Sequence, residues 1–255
     1  MHVVQRLLRF SLFTLLDYLR SGRILIEILI MLGCFYLFLW PRNDEALTVE
    51  NFFSVAGLFS VILTLVSVNT FLGLANRPQA HLLLTRRIGR IGYLLGTYIA
   101  ALIVVVGAYF VLSLLAALFS QIEEFALGAW ILGTLPLCLN IALFGALVML
   151  LSSLVLSGGW RLVILAMIAI ALSDTMITGP LESELPAALL SGLSALQTLF
   201  SWPLVPPFFA YELAITRDYS NNALLILLAQ FLLIIALLGL ALYSFERRDL
   251  QFSNT

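Results

Sequence analysis

Six apolar runs constrain this chain more than any motif in it: approximately Ile24–Trp40, Phe52–Leu74, Ile91–Leu118, Trp130–Leu156, Leu162–Met176 and Ala223–Tyr243. Measured against the roughly 20 residues that cross about 30 Å of hydrocarbon, they predict six transmembrane helices. Composition agrees, since 62% of the 255 residues are hydrophobic and 11% are charged, where soluble domains carry about 25% charged residues. The expected fold is an all-α polytopic membrane protein. An interfacial helix over residues 1–23 precedes a single six-span domain over 24–255, with an outer re-entrant segment near 177–222 between spans five and six.

The charges between the runs sort by side. All 13 strong cations are arginines, and the chain has no lysine. Arg6, Arg9, Arg20 and Arg23 precede the first run, and Arg77, Arg86, Arg87 and Arg90 separate the second from the third. Arg161 separates the fourth from the fifth, and Arg247 and Arg248 follow the sixth. Alternating spans put all of these in one compartment. The other side carries only Arg42 and Arg217 among the cations, with Asp44, Glu45, Glu50, Glu123, Glu124, Glu182, Glu184, Glu212 and Asp218. By the positive-inside rule both termini are cytoplasmic. Arg20 and Arg23 stand where a cleavage site would need small residues, so no cleavable signal peptide is expected. Short soluble loops fit a bacterial or archaeal inner membrane. A net charge of −1, with its basic part scattered over several loops, argues against nucleic acid as a partner.

Two stretches outside the runs are too apolar for ordinary loops. In Met1–Arg23 one helical face carries His2, Arg6, Phe13, Asp17 and Arg20 with Arg9 near by, and the opposite face carries Val4, Leu8, Leu15 and Leu19. That pattern predicts a helix lying in the cytoplasmic interface, in reach of membrane lipid, with Asp17 and Arg20 one turn apart and able to pair. The alternative is a solvated helix that only anchors the first span. The second stretch, Ile177–Asn222, is broken by Pro186 and Gly192 and then by Pro203, Pro206 and Pro207. Such backbone at membrane depth needs protein or a water-filled cavity around it. One or two re-entrant or interfacial helices at the outer end are expected, the alternative being a further pair of spans.

Chemistry inside the spans is sparse. Glu27 is the one acidic residue well inside a run, one turn from Arg23, and pairing at the interface is expected ahead of proton relay. Asp174 lies at the outer end of the fifth run. Asn140 and Ser67 can line a polar route or bond between helices. Cys34 and Cys138 lack metal-ligand spacing, and His2 and His81 are isolated, so no metal and no catalytic residue is expected. The missing lysine excludes a Walker A loop, whose lysine holds nucleotide phosphates. The chain is therefore not expected to be an enzyme by itself or to bind a cofactor.

The basic loop ANRPQAHLLLTRRIGR, running into the third span as TRRIGRIGYLLGTYIAA, reads as a short amphipathic helix followed by a cationic collar. It suits docking of a soluble partner, and it equally suits anchoring to anionic headgroups. Together with the N-terminal helix, six spans, the outer segment SALQTLFSWPLVPPFFAYELAITRDYSNN and a last span closing on YSFERRDL, it resembles the membrane subunit of an ATP-binding-cassette type-2 exporter. The loop departs from that family's acidic-Gly-Thr pattern, with Asn76, Pro78 and Gln79 in its place.

The resemblance implies a specific assembly. Two such membrane subunits, identical or paralogous, would pair and bind separate ATPase subunits, which would carry the ATP and Mg. Pro78, His81, Arg86, Arg87 and Arg90 would lie in the coupling helix, and the helix bearing Arg6, Arg9, Asp17 and Arg20 would complete the docking surface. Trp202, Pro203, Pro206 and Pro207 would belong to an outer gate. Gly92 and Gly96 allow close helix packing, within the subunit or across a dimer. Two other classes stay open: a non-transporting scaffold subunit of a larger complex, and a nucleotide-independent channel or carrier. The topology itself is testable. A cysteine introduced within Gln121–Glu124 should react with an impermeant maleimide from outside and one at Gly158 should not, and the reverse labelling overturns the orientation.

Overall fold

The computed structural model describes residues 2–41, 47–75, 89–120, 122, 126–173, 187–220 and 222–247. Among these residues there are helices and turns and no strand. Helix α1 covers His2–Arg20, and α2 covers Ile24–Cys34 and continues through a wider π turn at Phe35–Leu39. Helices α3 (Val49–Ala75), α4 (Gly89–Phe119) and α5 (Leu127–Leu150) follow. A short helix α6 (Gly158–Ala171), then α7 (Ala187–Ser201), a 3₁₀ turn at Trp202–Leu204 and α8 (Val205–Thr216) lead into α9 (Ala223–Arg247).

By length and composition α3, α4, α5 and α9 can each cross a membrane, and α1 with α2 make a fifth if the bent pair counts as one span. The chain is thus a polytopic helical protein built for a membrane. All six expected runs coincide with a helix, but α6 has 14 residues, which at 1.5 Å each reach about 21 Å and not the full hydrocarbon depth. The fourth run was expected to reach Leu156, yet α5 stops at Leu150 and residues 151–157 form turns. Ser152 and Ser153, just past the stop, explain it, since serine hydroxyls compete for backbone partners. Neither α7 nor α8 has the length of a span.

The break between α1 and α2 is set by Gly22, whose φ of +72° lies in the left-handed region that glycine enters without steric cost. The two helices consequently meet at 76°. Helix α1 has three faces. Phe10, Ser11 and Tyr18 are buried against the bundle, where α1 packs on α4. Leu8, Leu12, Leu16 and Leu19 form an exposed apolar face, and Arg6, Arg9, Asp17 and Arg20 an exposed charged one. Helix α1 thus combines a packed face, an exposed apolar face and an exposed charged face, and it turns across the adjoining apolar helix. No ion pair joins Asp17 to Arg20 among the described residues. Both are exposed, where such a pair contributes little.

Two apolar clusters mark the two ends of the bundle. One gathers Phe10 and Tyr18 of α1, Phe71 late in α3, Tyr93 early in α4, Met149 late in α5, Val155 and Phe245 late in α9. The other gathers Phe35, Phe52 early in α3, Tyr109 late in α4 and Leu137 early in α5. Arg6, Arg9, Arg20, Arg23, Arg90, Arg161 and Arg247 therefore share the first end, and Arg217 lies at the second. Helix α5 is the hub, touching α3, α4, α8 and α9, whereas α6 packs mainly on α7.

Helix contacts are made by rings seated on glycines. A Cβ at Gly133 of α5 would fall 2.3 Å from Phe53 Cζ of α3, one at Gly57 of α3 2.3 Å from Tyr211 Cε2 of α8, and one at Gly96 of α4 2.3 Å from Phe10 Cδ1 of α1. Gly145 of α5 receives Tyr98 of α4 at 3.2 Å. Gly96 thus serves packing within the subunit. Gly96→Val should unseat Phe10 and lower thermal stability by about 1–3 kcal/mol. Adding Phe10→Ala should recover part of the loss in a double-mutant cycle measured by thermal unfolding in detergent, and strictly additive effects would refute the contact.

Candidate functional site

A polar chain crosses the apolar interior at the second end of the bundle. Gln230 of α9, completely buried, donates from Nε2 to Asn140 Oδ1 of α5 at 2.6 Å. Asn140 in turn donates from Nδ2 to the Pro207 carbonyl of α8 at 3.2 Å. Three helices are tied by two side-chain amides. In hydrocarbon such bonds contribute about 0.6–2 kcal/mol each, because their alternative is a polar group with no water near it. Gln230 Oε1 has no partner among the described residues. Asn140 therefore links helices, the second of the two roles its sequence position allowed.

Helix α8 is held over this chain by its sequence. Pro206 and Pro207 stand in its first turn, where an N–H would have no intrahelical partner and its absence costs nothing. The Tyr211 ring rests on Gly57 while its hydroxyl donates to the Ser54 carbonyl at 2.9 Å. Arg217 closes the helix at φ +58°, and Tyr219 then donates to the Leu132 carbonyl of α5 at 2.7 Å. Between them the exposed Asp218 carboxylate accepts the Ser220 N–H at 2.9 Å, which holds its carboxyl below the usual range. Helix α8 is thereby pinned to α3 and α5 at four points.

Beneath α8 lies a partly open cavity of about 340 Å³ bounded by α3, α5, α6 and α8. Its walls are almost wholly apolar, with Leu58, Leu137, Phe144, Ile168 and Phe208 among them, and Asn140 and Tyr211 supply polar points. A neighbouring cavity of about 380 Å³ shares Leu172, Leu204 and Phe208 and reaches Glu212. The pair can accept a hydrophobic group, with Ser60, Asn140 and Tyr211 as the few polar points in the wall.

The expected gate residues divide around these cavities. Pro207 is buried, lines the 340 Å³ cavity and accepts from Asn140, and Pro206 is half-buried beside it. Trp202 and Pro203 sit in the exposed 3₁₀ turn, Trp202 with 75% of its surface free, and line neither cavity. Among the described residues no group of three or more His, Cys, Asp or Glu side chains is close enough to hold a metal ion.

At the first end, Pro78, His81, Arg86 and Arg87 lie outside the described residues. Arg90 is described, and its guanidinium donates to the Glu246 carbonyl at 2.9 Å. It caps the final turn of α9, where unpaired carbonyls and the negative end of the helix dipole favour a cation. Arg247 stacks over the Tyr243 ring at 4.3 Å. The expected pairing of Glu27 with Arg23 is not formed: Glu27 Oε1 accepts from Ser67 of α3, and Arg23 reaches the Thr70 carbonyl at 3.5 Å. The α3 backbone competes for the guanidinium because the end of α3 faces the turn after α1.

Sequence reasoning passed over Gln230, Tyr211, Gly57 and Tyr18. A lone glutamine in LLILLAQFLLIIALL was the available signal for the first. The amide link is open to a cycle of substitutions. Asn140→Leu and Gln230→Leu should each cost about 1–2 kcal/mol by stranding the other amide, and the double variant should cost less than their sum. Thermal unfolding in a fixed detergent measures this, and additive losses would remove the link.

No protein-family model matches the chain, and no curated protein matches it.

Proposed function

We propose that this chain is the membrane subunit of an ATP-driven exporter of the ATP-binding-cassette type-2 kind. It pairs with a second membrane subunit and docks separate ATPase subunits at its arginine-rich end. The observation that carries this reading is α1. It meets the first apolar helix at 76°, seats Phe10 on Gly96 of α4, and leaves Arg6, Arg9, Asp17 and Arg20 exposed at the end where the arginines gather. A charged, rigidly mounted surface there suits a soluble motor better than a simple anchor, which needs no such mounting.

The chain carries no lysine for a phosphate loop, so ATP, Mg and the hydrolytic step belong to the partner. On this reading both termini are cytoplasmic, in a bacterial or archaeal inner membrane, and six segments cross it, the 14-residue α6 as a short crossing that local thinning of the bilayer accommodates. The α7–α8 segment is a re-entrant cap on the outer side. The cavity under α8 forms part of the route, which suits a hydrophobic or amphipathic substrate, and α8 with Pro206 and Pro207 forms its outer boundary. Coupling runs through the segment around Pro78–Arg90 into α4 and from there to α5.

A mild-detergent pull-down of the tagged chain from its host, with mass spectrometry and an ATPase assay on the eluate, tests the assignment. Near-equal recovery of a Walker-motif ATPase is the expected result. Arg86→Ala with Arg87→Ala should release that ATPase or uncouple its hydrolysis from transport while the bundle still inserts. Recovery of a large complex without an ATPase favours a scaffold subunit, and activity of the chain alone in liposomes favours an independent carrier.

A further inference from the structure

A second polar site lies apart from the α8 cavity, at the arginine-rich end where α1, α2 and α3 meet. Tyr18, Arg23, Ile26, Glu27, Val66 and Thr70 enclose about 190 Å³ there, well above the roughly 15 Å³ that one water needs. Glu27 is 3% exposed. Its Oε1 is taken by Ser67, while the Tyr18 hydroxyl lies beside the Glu27 carboxylate, and neither it nor Oε2, both buried, makes a hydrogen bond of good geometry among the described residues. Inside a bundle such groups are expensive unless something satisfies them.

The arrangement is dipolar and opens sideways. Glu27 and Tyr18 line it together with Arg23, whose guanidinium reaches the Thr70 carbonyl of the same lining. Ile26, in the same wall, is 58% exposed, and Leu25 and Leu29 beside it are exposed as well. The access route therefore runs from the lipid phase at interfacial depth. An anion is repelled by Glu27, and an acyl chain offers the Glu27–Tyr18 pair no better partner than the two groups offer each other. A group with N–H donors and positive charge satisfies both, and an attached phosphate would complement Arg23.

We infer that this pocket binds the headgroup of an aminophospholipid, with its primary ammonium on Glu27 and Tyr18 and its phosphate at Arg23. The site is independent of whether an ATPase docks on this chain. It discriminates by donors: a trimethylammonium headgroup has the charge without an N–H, and a glycerol headgroup has hydroxyls without the charge. Lipid bound there wedges between α1 and the α2–α3 pair and fixes the angle at Gly22.

The test is native mass spectrometry of the delipidated, detergent-solubilised chain with phosphatidylethanolamine, phosphatidylcholine and phosphatidylglycerol of identical acyl chains. Wild type should hold phosphatidylethanolamine about tenfold more tightly than the other two. Glu27→Gln keeps the shape and an acceptor for Ser67, and should erase the preference. Tyr18→Phe keeps the ring and should reduce it several-fold. Equal binding of the three lipids overturns the proposal, as does an unchanged preference in Glu27→Gln. Should Glu27→Gln fail to fold on size exclusion, an undiminished preference in Tyr18→Phe overturns it instead. Soluble phosphoethanolamine in millimolar excess should leave the lipid in place, and displacement by it refutes a lipid as the occupant.

Discussion

Hydrocarbon gives helices no reason to associate through apolarity, because lipid tails are as apolar as leucine. This bundle depends on close approach instead, and aromatic rings set into glycine gaps provide it. Phe53 on Gly133, Tyr211 on Gly57, Tyr98 on Gly145 and Phe10 on Gly96 join α3 to α5, α8 to α3, α4 to α5 and α1 to α4. Two of the tyrosines extend the same design. Tyr211 lies over Gly57 and bonds the carbonyl of Ser54, and Tyr98 lies over Gly145 and bonds the carbonyl of Ala142. In each case the hydroxyl finds the carbonyl three residues before the glycine, one turn along the same helix face. Dispersion and a hydrogen bond are gained together at a fixed register.

That register decides what else can form. Once α8 is seated on α3, its Pro207 carbonyl meets Asn140, and Asn140 meets Gln230. The cavity beneath α8 exists because the proline-broken chain crosses over α3 and α5 and leaves the space on its α6 side unfilled. A polar link and an apolar chamber are thus two results of one docking event. At the other end the left-handed Gly22 plays the corresponding part, turning α1 across the bundle and bringing Tyr18 against Phe71, with ring centroids 4.4 Å apart.

Much of this was legible in the sequence and some was not. Apolar runs are local, so the helices were readable from hydropathy, and the sorting of arginines gave the two ends. Helix α1 shows the limit. A two-faced wheel captures its leucines and its charges, yet its packing face is the mixed set Phe10, Ser11 and Tyr18, which looks neither apolar nor polar. In a membrane, hydrophobicity separates lipid from water and says little about protein against lipid, which is why leucines are exposed and serine is buried. Glu27 was visible as an anomaly, but its partner was misread, because Arg23 is near in sequence while Ser67 is near only in the fold. The partners of Asn140 lie 67 and 90 residues away, beyond any periodicity.

The association of α6 with α7 has a mechanical meaning. These two helices hold each other and touch the rest of the bundle sparingly, yet α6 supplies Ile168 and Leu172 to the wall of the chamber under α8. The chamber is therefore bounded on unequal terms: α3, α5 and α8 are keyed to one another by rings and amides, and the α6 side is tied mainly to α7. A shift of α6 together with α7 would change the chamber's width without unseating any ring from its glycine.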